Sequence, residues 1–394
     1  MNVYVRELSL ELGRRGHLVD IFTRYQDSCA GHARQQSFGQ GVRLFHVPAG
    51  PSRYLSGQEI YDRLPQLADS ILSPTDGEST NYDLIHSHYW LSGWVGQKLT
   101  QAWGAPHIQM FHTLGLMKNR VALSFEEREP EIRITTEHDV MRAADCLIAA
   151  TPAERIQLMW LYGADMRKIR VIAPGVNIQT FQPIDIEQAR AAINMPADSR
   201  MLLFVGRIEP LKGIETLLRA IALLREQSSD YLSNLWVAIV GGDTDPDEAE
   251  DMELQRLKTL RQELGLQDFV IFVGARQQEM LQYYYAASEA VIMPSYYESF
   301  GMVALEAMAC GTPVIASEVG GLAYLVQDGV TGFHVPDRDP AELAGKIRLL
   351  LDNTELRREM SLAASKYARQ FAWPLITDRV VDVYKDMVAR QRTA

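Results

Sequence analysis

Six short apolar runs, at 201–205, 235–240, 269–273, 290–293, 313–316 and 332–335, punctuate the second half of the chain. The stretches between them are long enough for the crossover that a parallel strand pair requires, about a dozen residues or more. Runs of this length read as strands buried on both faces, and their alternation with longer connections predicts a doubly wound α/β sheet. At 394 residues the chain is long for one core, and its 47% apolar content can fill two. Two α/β domains of fewer than about 200 residues each are therefore expected.

The first half carries the same alternation less regularly. Val5, Leu8 and Leu12 share a helical face over 3–16, which ends at Gly16, and 17–23 reads as a strand. An α/β domain that opens on a helix is unusual, because the crossover unit begins with a strand. Further strands are expected at 42–47, 82–88, 107–112, 146–150 and from 169 into a linker at Pro174 and Gly175. A helix over 56–72 should break at Pro65, 137–144 reads as helix, and Thr151-Pro-Ala-Glu154 reads as a cap with proline in the first turn. Polar loops are expected at 73–81 and 243–251.

Three places carry candidate chemistry. The first is 294–313, which follows the run 290–293 and holds Glu298, Ser299, Phe300, Gly301 and, about two turns later, Glu306. The helix starting after Gly301 presents free amide groups suited to an anion such as a diphosphate. Two carboxylates at this spacing reach different parts of one ligand, and each can accept two hydrogen bonds from a vicinal diol. The spacing fits equally a dipole-complementing Glu298 and a solvated Glu306.

The second is Gly206-Arg-Ile-Glu-Pro-Leu-Lys-Gly213, at the carboxyl end of the first strand of this half. It lacks the phosphate-loop order Gly-x4-Gly-Lys-Ser/Thr, so Arg207 and Lys212 are either solvated cations or local partners for an anion. The third is the pair of strand ends bearing His86, His88 and Tyr89, and His112 and Thr113. Ligands of open parallel sheets bind beyond such ends. No partner at metal-ligand spacing accompanies these histidines.

Composition narrows the partners. A formal charge of −11 without a long basic run disfavours nucleic acid and anionic membranes. Cys29, Cys146 and Cys310 are odd in number and lack a CxxC or Cys/His spacing, which fits a reduced, cytoplasmic setting. No apolar run reaches the length of an integral membrane segment.

Glu298-x7-Glu306, Ala-Met-Ala-Cys-Gly-Thr-Pro-Val and the later Gly320-Gly321 together resemble the nucleotide-sugar signature of the family-4 retaining glycosyltransferases, which have the two-domain GT-B architecture. The resemblance covers nearly the whole chain. It implies two Rossmann-like doubly wound domains facing a cleft: 1–175 for the acceptor, 176–372 for the nucleotide sugar, and 373–394 as a helix crossing back to the first. It also implies that Asn2-Val-Tyr-Val-Arg6 begins just after a first strand and glycine turn, so that strand is expected to be missing through a late start or a shortened chain.

What the resemblance implies for chemistry is transfer of a hexose from a nucleotide sugar, with UDP as the expected nucleotide, to a hydroxyl of a small acceptor. In the family the Arg and Lys at 207 and 212 bind the donor diphosphate, so no metal and no cofactor is expected. His112, Arg207, Lys212 and Glu298 would be catalytic. Gly206, Arg276, Ser299, Phe300, Gly301 and Glu306 would complete the donor site, with Glu306 on the ribose and backbone near 273–276 on the base. Asn2, Tyr89, Thr113, Lys118 and Arg133 match positions that bind polyol or sugar phosphate in relatives acting on phosphorylated acceptors. One departure is Gly57, where those relatives carry a lysine, with Arg53 as a nearby substitute.

Two competing readings remain at this stage, a nucleotide-sugar epimerase on the same scaffold and a non-catalytic nucleotide-sugar binder. A structural adaptor is weaker still. The sequence leaves the sugar, the acceptor and the oligomeric state open, with a homodimer as the candidate.

Overall fold

A computed structural model describes residues 1–26, 35–73, 82–122, 124–125, 127–227, 234–242 and 248–393. Cys29 and most of the loops expected at 73–81 and 243–251 lie outside the described residues. The chain divides into two compact units, Met1–Gly175 with Trp373–Ala394, and Val176–Ala372.

In the first unit the helix Asn2–Arg14 precedes strands β1 (Val19–Arg24), β2 (Gln35–Gly39) and β3 (Val42–Val47). They form a sheet ordered β1-β3-β2, with β1 parallel and β2 antiparallel to β3. Strand β2 was not expected from the sequence. It is a polar edge strand, and its residues Gln-Gln-Ser-Phe-Gly lack the apolar run that marks its neighbours.

Strands β4 (Ile85–His88), β5 (His107–Met110), β6 (Cys146–Ala149) and β7 (Ile169–Val171) form a parallel sheet in that order. Strands β5 and β6 are buried at every residue, as expected when helices cover both faces. The stretch at 56–72 is two helices, Gly57–Tyr61 and Leu64–Leu72, and Pro65 sits in the first turn of the second, where its missing N–H is harmless. The helix read over 137–144 begins earlier, at Glu131, with Pro130 as its N-cap residue.

The last helix, Trp373–Thr393, buries Ile376, Val380, Val383 and Met387 along one stripe. Polar contacts fix it to the rest of this unit: Arg15 donates to the Asp378 carboxylate at 2.5 Å and to the Pro374 carbonyl at 2.6 Å, and the Tyr384 hydroxyl lies 2.6 Å from His86 Nδ1.

The second unit holds β8 (Arg200–Val205), β9 (Leu235–Val240), β10 (Val270–Gly274), β11 (Ala290–Met293), β12 (Val314–Ser317) and β13 (Gly332–Val335). Their order is β10-β9-β8-β11-β12-β13, and every pairing is parallel. The progression of strands therefore reverses between β8 and β11. Leu202, Phe204, Ile239, Ile292 and Ile315 pack beneath the helices Ile214–Gln227 and Pro340–Asp352 to form its core. A doubly wound sheet binds its ligand where the strand order reverses, outside the carboxyl ends of the strands. Here that point is flanked by the loops following Val205 and Met293.

Candidate active site

Those two loops are locked together. The Tyr296 N–H donates to the Leu211 carbonyl at 2.8 Å, and Lys212 Nζ lies 2.6 Å from Glu298 Oε2. Gly213 permits this closeness: with φ of +66°, a Cβ there would lie 2.0 Å from the Pro294 carbonyl oxygen. Gly320 supports the acidic loop from the other side. Its φ is +47°, a Cβ would lie 2.1 Å from the Glu298 carbonyl oxygen, and the adjacent Gly321 N–H donates to that oxygen at 2.8 Å. Both glycines thus pack against the loop that carries Glu298.

Glu306, on the helix Met302–Ala309, is not a solvated helix residue. It is 6% exposed and accepts from the Tyr285 hydroxyl at 2.9 Å and from Gln278 Nε2 at 3.5 Å. Burial raises its pKa to about 7, against which these two hydrogen bonds act, and burial likewise pushes the Tyr285 hydroxyl well up. Phe300 is buried against Phe371, while Ser299 is part-buried in the loop.

The remaining cations of this unit stand apart. Arg207 follows Gly206 with two-thirds of its side chain exposed and pairs with Glu209 at 2.5 Å. Arg276, beyond the end of β10, donates to the Ala275 carbonyl at 2.8 Å and to the Tyr284 hydroxyl at 3.3 Å.

In the first unit, four of the five expected acceptor residues converge. Arg133 is wholly buried, and each of its five N–H groups has an acceptor. Nε donates to Glu137 at 2.8 Å, one terminal nitrogen reaches the Tyr89 hydroxyl at 3.0 Å and Glu129 at 2.9 Å, and the other reaches the Thr113 carbonyl and Oγ1, both at 3.0 Å. Lys118 joins through Glu129, whose Oε1 is 2.5 Å from Nζ. Burial opposes charge on Arg133, but Tyr89, Glu137 and Glu129 outweigh it and raise its pKa. Asn2 is exposed at the start of the first helix. Arg53 is exposed and bound to Glu59 at 2.6 Å, and Gly57 opens the helix that Ser56 and Glu59 cap reciprocally.

His112 belongs to a second cluster. Its Nε2 lies 3.1 Å from His88 Nδ1, and the Tyr4 ring stands against both imidazoles. The His86 ring follows, 4.2 Å from that of His88. Burial, more than any other cause, holds all three imidazoles well below the ordinary histidine value. His112 and Tyr89 also adopt positive φ, 63° and 80°, a strained backbone for residues with side chains. Among the described residues no group of three or more His, Cys, Asp or Glu side chains is placed to hold a metal ion. No described helix is long and apolar enough to cross a membrane.

Two parallel-sheet units, one of them with a lysine and a carboxylate paired where its strand order reverses, have the architecture of the GT-B glycosyltransferases. Residues 1–175 match the glycosyl transferase 4-like domain and residues 185–367 match glycosyl transferases group 1. The chain belongs to the family-4 glycosyltransferases. It is 40% identical to a D-inositol 3-phosphate glycosyltransferase of Acidothermus cellulolyticus, covering 100% of this chain and 87% of that one. It is 41% identical to D-inositol 3-phosphate glycosyltransferase 2 of Catenulispora acidiphila, covering 98% and 89%.

Among solved structures, sucrose-phosphate synthase from Thermosynechococcus elongatus superposes with a TM-score of 0.89 at 35% identity, over 99% of this chain and 94% of that one. Anabaena HepE in complex with UDP and glucose shares the fold at 21% identity, with a TM-score of 0.74 over 97% and 95%.

Sequence reasoning missed Glu129, Glu209, Tyr285 and Gln278, the partners of the candidate residues. Glu209 lies within the Gly206–Gly213 segment but was not singled out there, and the other three carry no motif. Glu129 sits in a loop, and Tyr285 reads as one of three successive tyrosines on an amphipathic helix.

Proposed function

We propose that the protein is a retaining hexosyltransferase that moves a hexose from a UDP-sugar to a hydroxyl of a small phosphorylated polyol or sugar. The observation that carries this reading is the pairing of Lys212 with Glu298 where the strand order of the second unit reverses. The inositol phosphate and sucrose phosphate in the names of its relatives support the acceptor class.

The chemistry follows from charge. Breaking the anomeric C–O bond leaves negative charge on the nucleoside diphosphate and makes the sugar oxocarbenium-like. Lys212 and Arg207 stabilise the leaving group, together with the amide groups opening the helix after Gly301. Both cations now rest on carboxylates, so the diphosphate takes over from Glu298 and Glu209. Glu298, released from Lys212, accepts hydrogen bonds from the sugar hydroxyls. Glu306, held by Tyr285, contacts the ribose, and backbone at the end of β10, at 273–276, contacts the base. In a front-face route the departing phosphate oxygen receives the acceptor's proton, so no separate base is needed, and His112 borders the reacting sugar. Two lysine or arginine charges do the work that a divalent metal does elsewhere.

On the acceptor side Tyr89, Thr113, Lys118 and Arg133 form the phosphate subsite, with Asn2 on the polyol. The buried free thiols Cys146 and Cys310 suit the cytoplasm. Incubation with UDP-hexoses and a panel of inositol and sugar phosphates tests the reading. Mass spectrometry is expected to show UDP release matched by an acceptor-linked sugar. An epimerised UDP-sugar, or binding without turnover, would count against it.

A further inference from the structure

Glu129 lies immediately before Pro130, which restricts it to extended backbone, and its position is fixed by Asn119. The Glu129 N–H donates to Asn119 Oδ1 at 2.6 Å. Its carboxylate reaches inward, and Oε1 bridges Lys118 Nζ at 2.5 Å and an Arg133 terminal nitrogen at 2.9 Å. Burial favours its neutral form, but the charges of Arg133 and Lys118 outweigh burial and keep it ionised.

The two carboxylates on Arg133 are unlike. Glu137 is fully buried and also accepts from the Gly115 N–H at 3.0 Å and from the Tyr162 hydroxyl. Glu129 is 18% exposed and stands on a loop. Glu137 is therefore the fixed partner and Glu129 the exchangeable one.

Charge decides what can replace it. Lys118 and Arg133 with Glu129 and Glu137 sum to zero, so a phosphate monoester of about −1.5 to −2 added beside Glu129 would find no net attraction and would be repelled by the Glu129 carboxylate itself. A single-charged carboxylate offers these cations no more than Glu129 does from within the chain. A phosphate offers greater charge and three acceptor oxygens.

We infer that Glu129 is a built-in stand-in for the acceptor's phosphate, which must displace it from Lys118 and Arg133, and that this exchange selects phosphorylated acceptors over carboxylated or neutral ones. The inference rests on the acceptor reading given above.

Isothermal titration of the full chain with myo-inositol 3-phosphate, inorganic phosphate, acetate and myo-inositol tests it. In Glu129→Gln both phosphate-bearing probes are expected to bind about tenfold tighter, the strength of one charge-assisted contact, and acetate should begin to bind. Myo-inositol and UDP affinities should not change. Glu129→Asp, too short to bridge both cations, should give a smaller gain and serves if the glutamine variant does not fold. Unchanged or weaker phosphate binding in both variants would overturn the inference and make Glu129 a scaffold for the two cations. Lys118→Met separates the two claims: if it leaves phosphate binding by the wild type unaltered, the acceptor reading falls with the inference. If it weakens phosphate binding while Glu129→Gln does not strengthen it, only the inference falls.

Discussion

Four of the candidate cations hold a carboxylate: Lys212 pairs with Glu298, Arg207 with Glu209, and Lys118 and Arg133 with Glu129. On the proposed function, ligand binding at these residues is partner exchange, with selectivity set by what each carboxylate gives up. Glu306 differs because its partners are neutral. Its folded pKa of about 7 lies above the unfolded value of 4.5. The sign follows: its contribution to stability is complete below pH 4.5 and is lost as pH rises through 7, a change on the order of 3 kcal/mol. Glu306→Gln should therefore remove this dependence. Denaturant unfolding at pH 5 and pH 8 checks it, and a wild-type-minus-variant difference that does not change between the two pH values would contradict it.

At the scale of elements, the second unit was readable because its strands are continuous apolar runs, buried on both faces except at the edge strand β10, where Ile271 is exposed, and such runs admit few other structures. Strand β2 was not, since Gln35–Gly39 pairs as a polar edge and edge strands need no apolar face. The loops carrying Lys212 and Glu298 were visible as residues, yet their contact was not, because the two are separated by 86 positions. Only the sheet order brings them together. Glu129 was invisible for a related reason: a lone glutamate in a loop has no periodicity, and its contacts arise from two helices, Gly115–Val121 and Glu131–Ala143, that converge on it. Gly320 and Gly321 both press on the backbone of the acidic loop. Gly320→Ala places a Cβ where the Glu298 carbonyl oxygen sits and forces a left-handed backbone on alanine. A loss of about 1–3 kcal/mol in stability is expected, with weaker UDP binding by titration, while a variant as stable and as tight as wild type would contradict the packing argument.

For the whole molecule, buried histidines set the acid limit. Burial holds His86, His88 and His112 well below the ordinary value of 6.5 and His107 at about 4. Groups with depressed folded pKa contribute stability above the unfolded value and lose it as pH falls. Each costs about 1.4 kcal/mol per pH unit below about 6.5. Glu154 and Glu306, raised to about 7 by burial, and Glu137, also raised, oppose this with the same slope above the ordinary carboxylate value. Four histidines against three carboxylates leave a small net loss, so the melting temperature should fall slightly between pH 6.5 and 5. A rise over that range would show that the histidine cluster is not buried and neutral.

In the proposed mechanism, lysine and arginine charges, with no metal, drive transfer with retention at the anomeric carbon. Proton NMR of the product formed from an α-linked UDP-hexose and an inositol phosphate in excess EDTA is the test. The predicted result is undiminished turnover and an α-linked product from the first spectrum onward. A β-linked product, or turnover lost in EDTA and restored by magnesium, would contradict it.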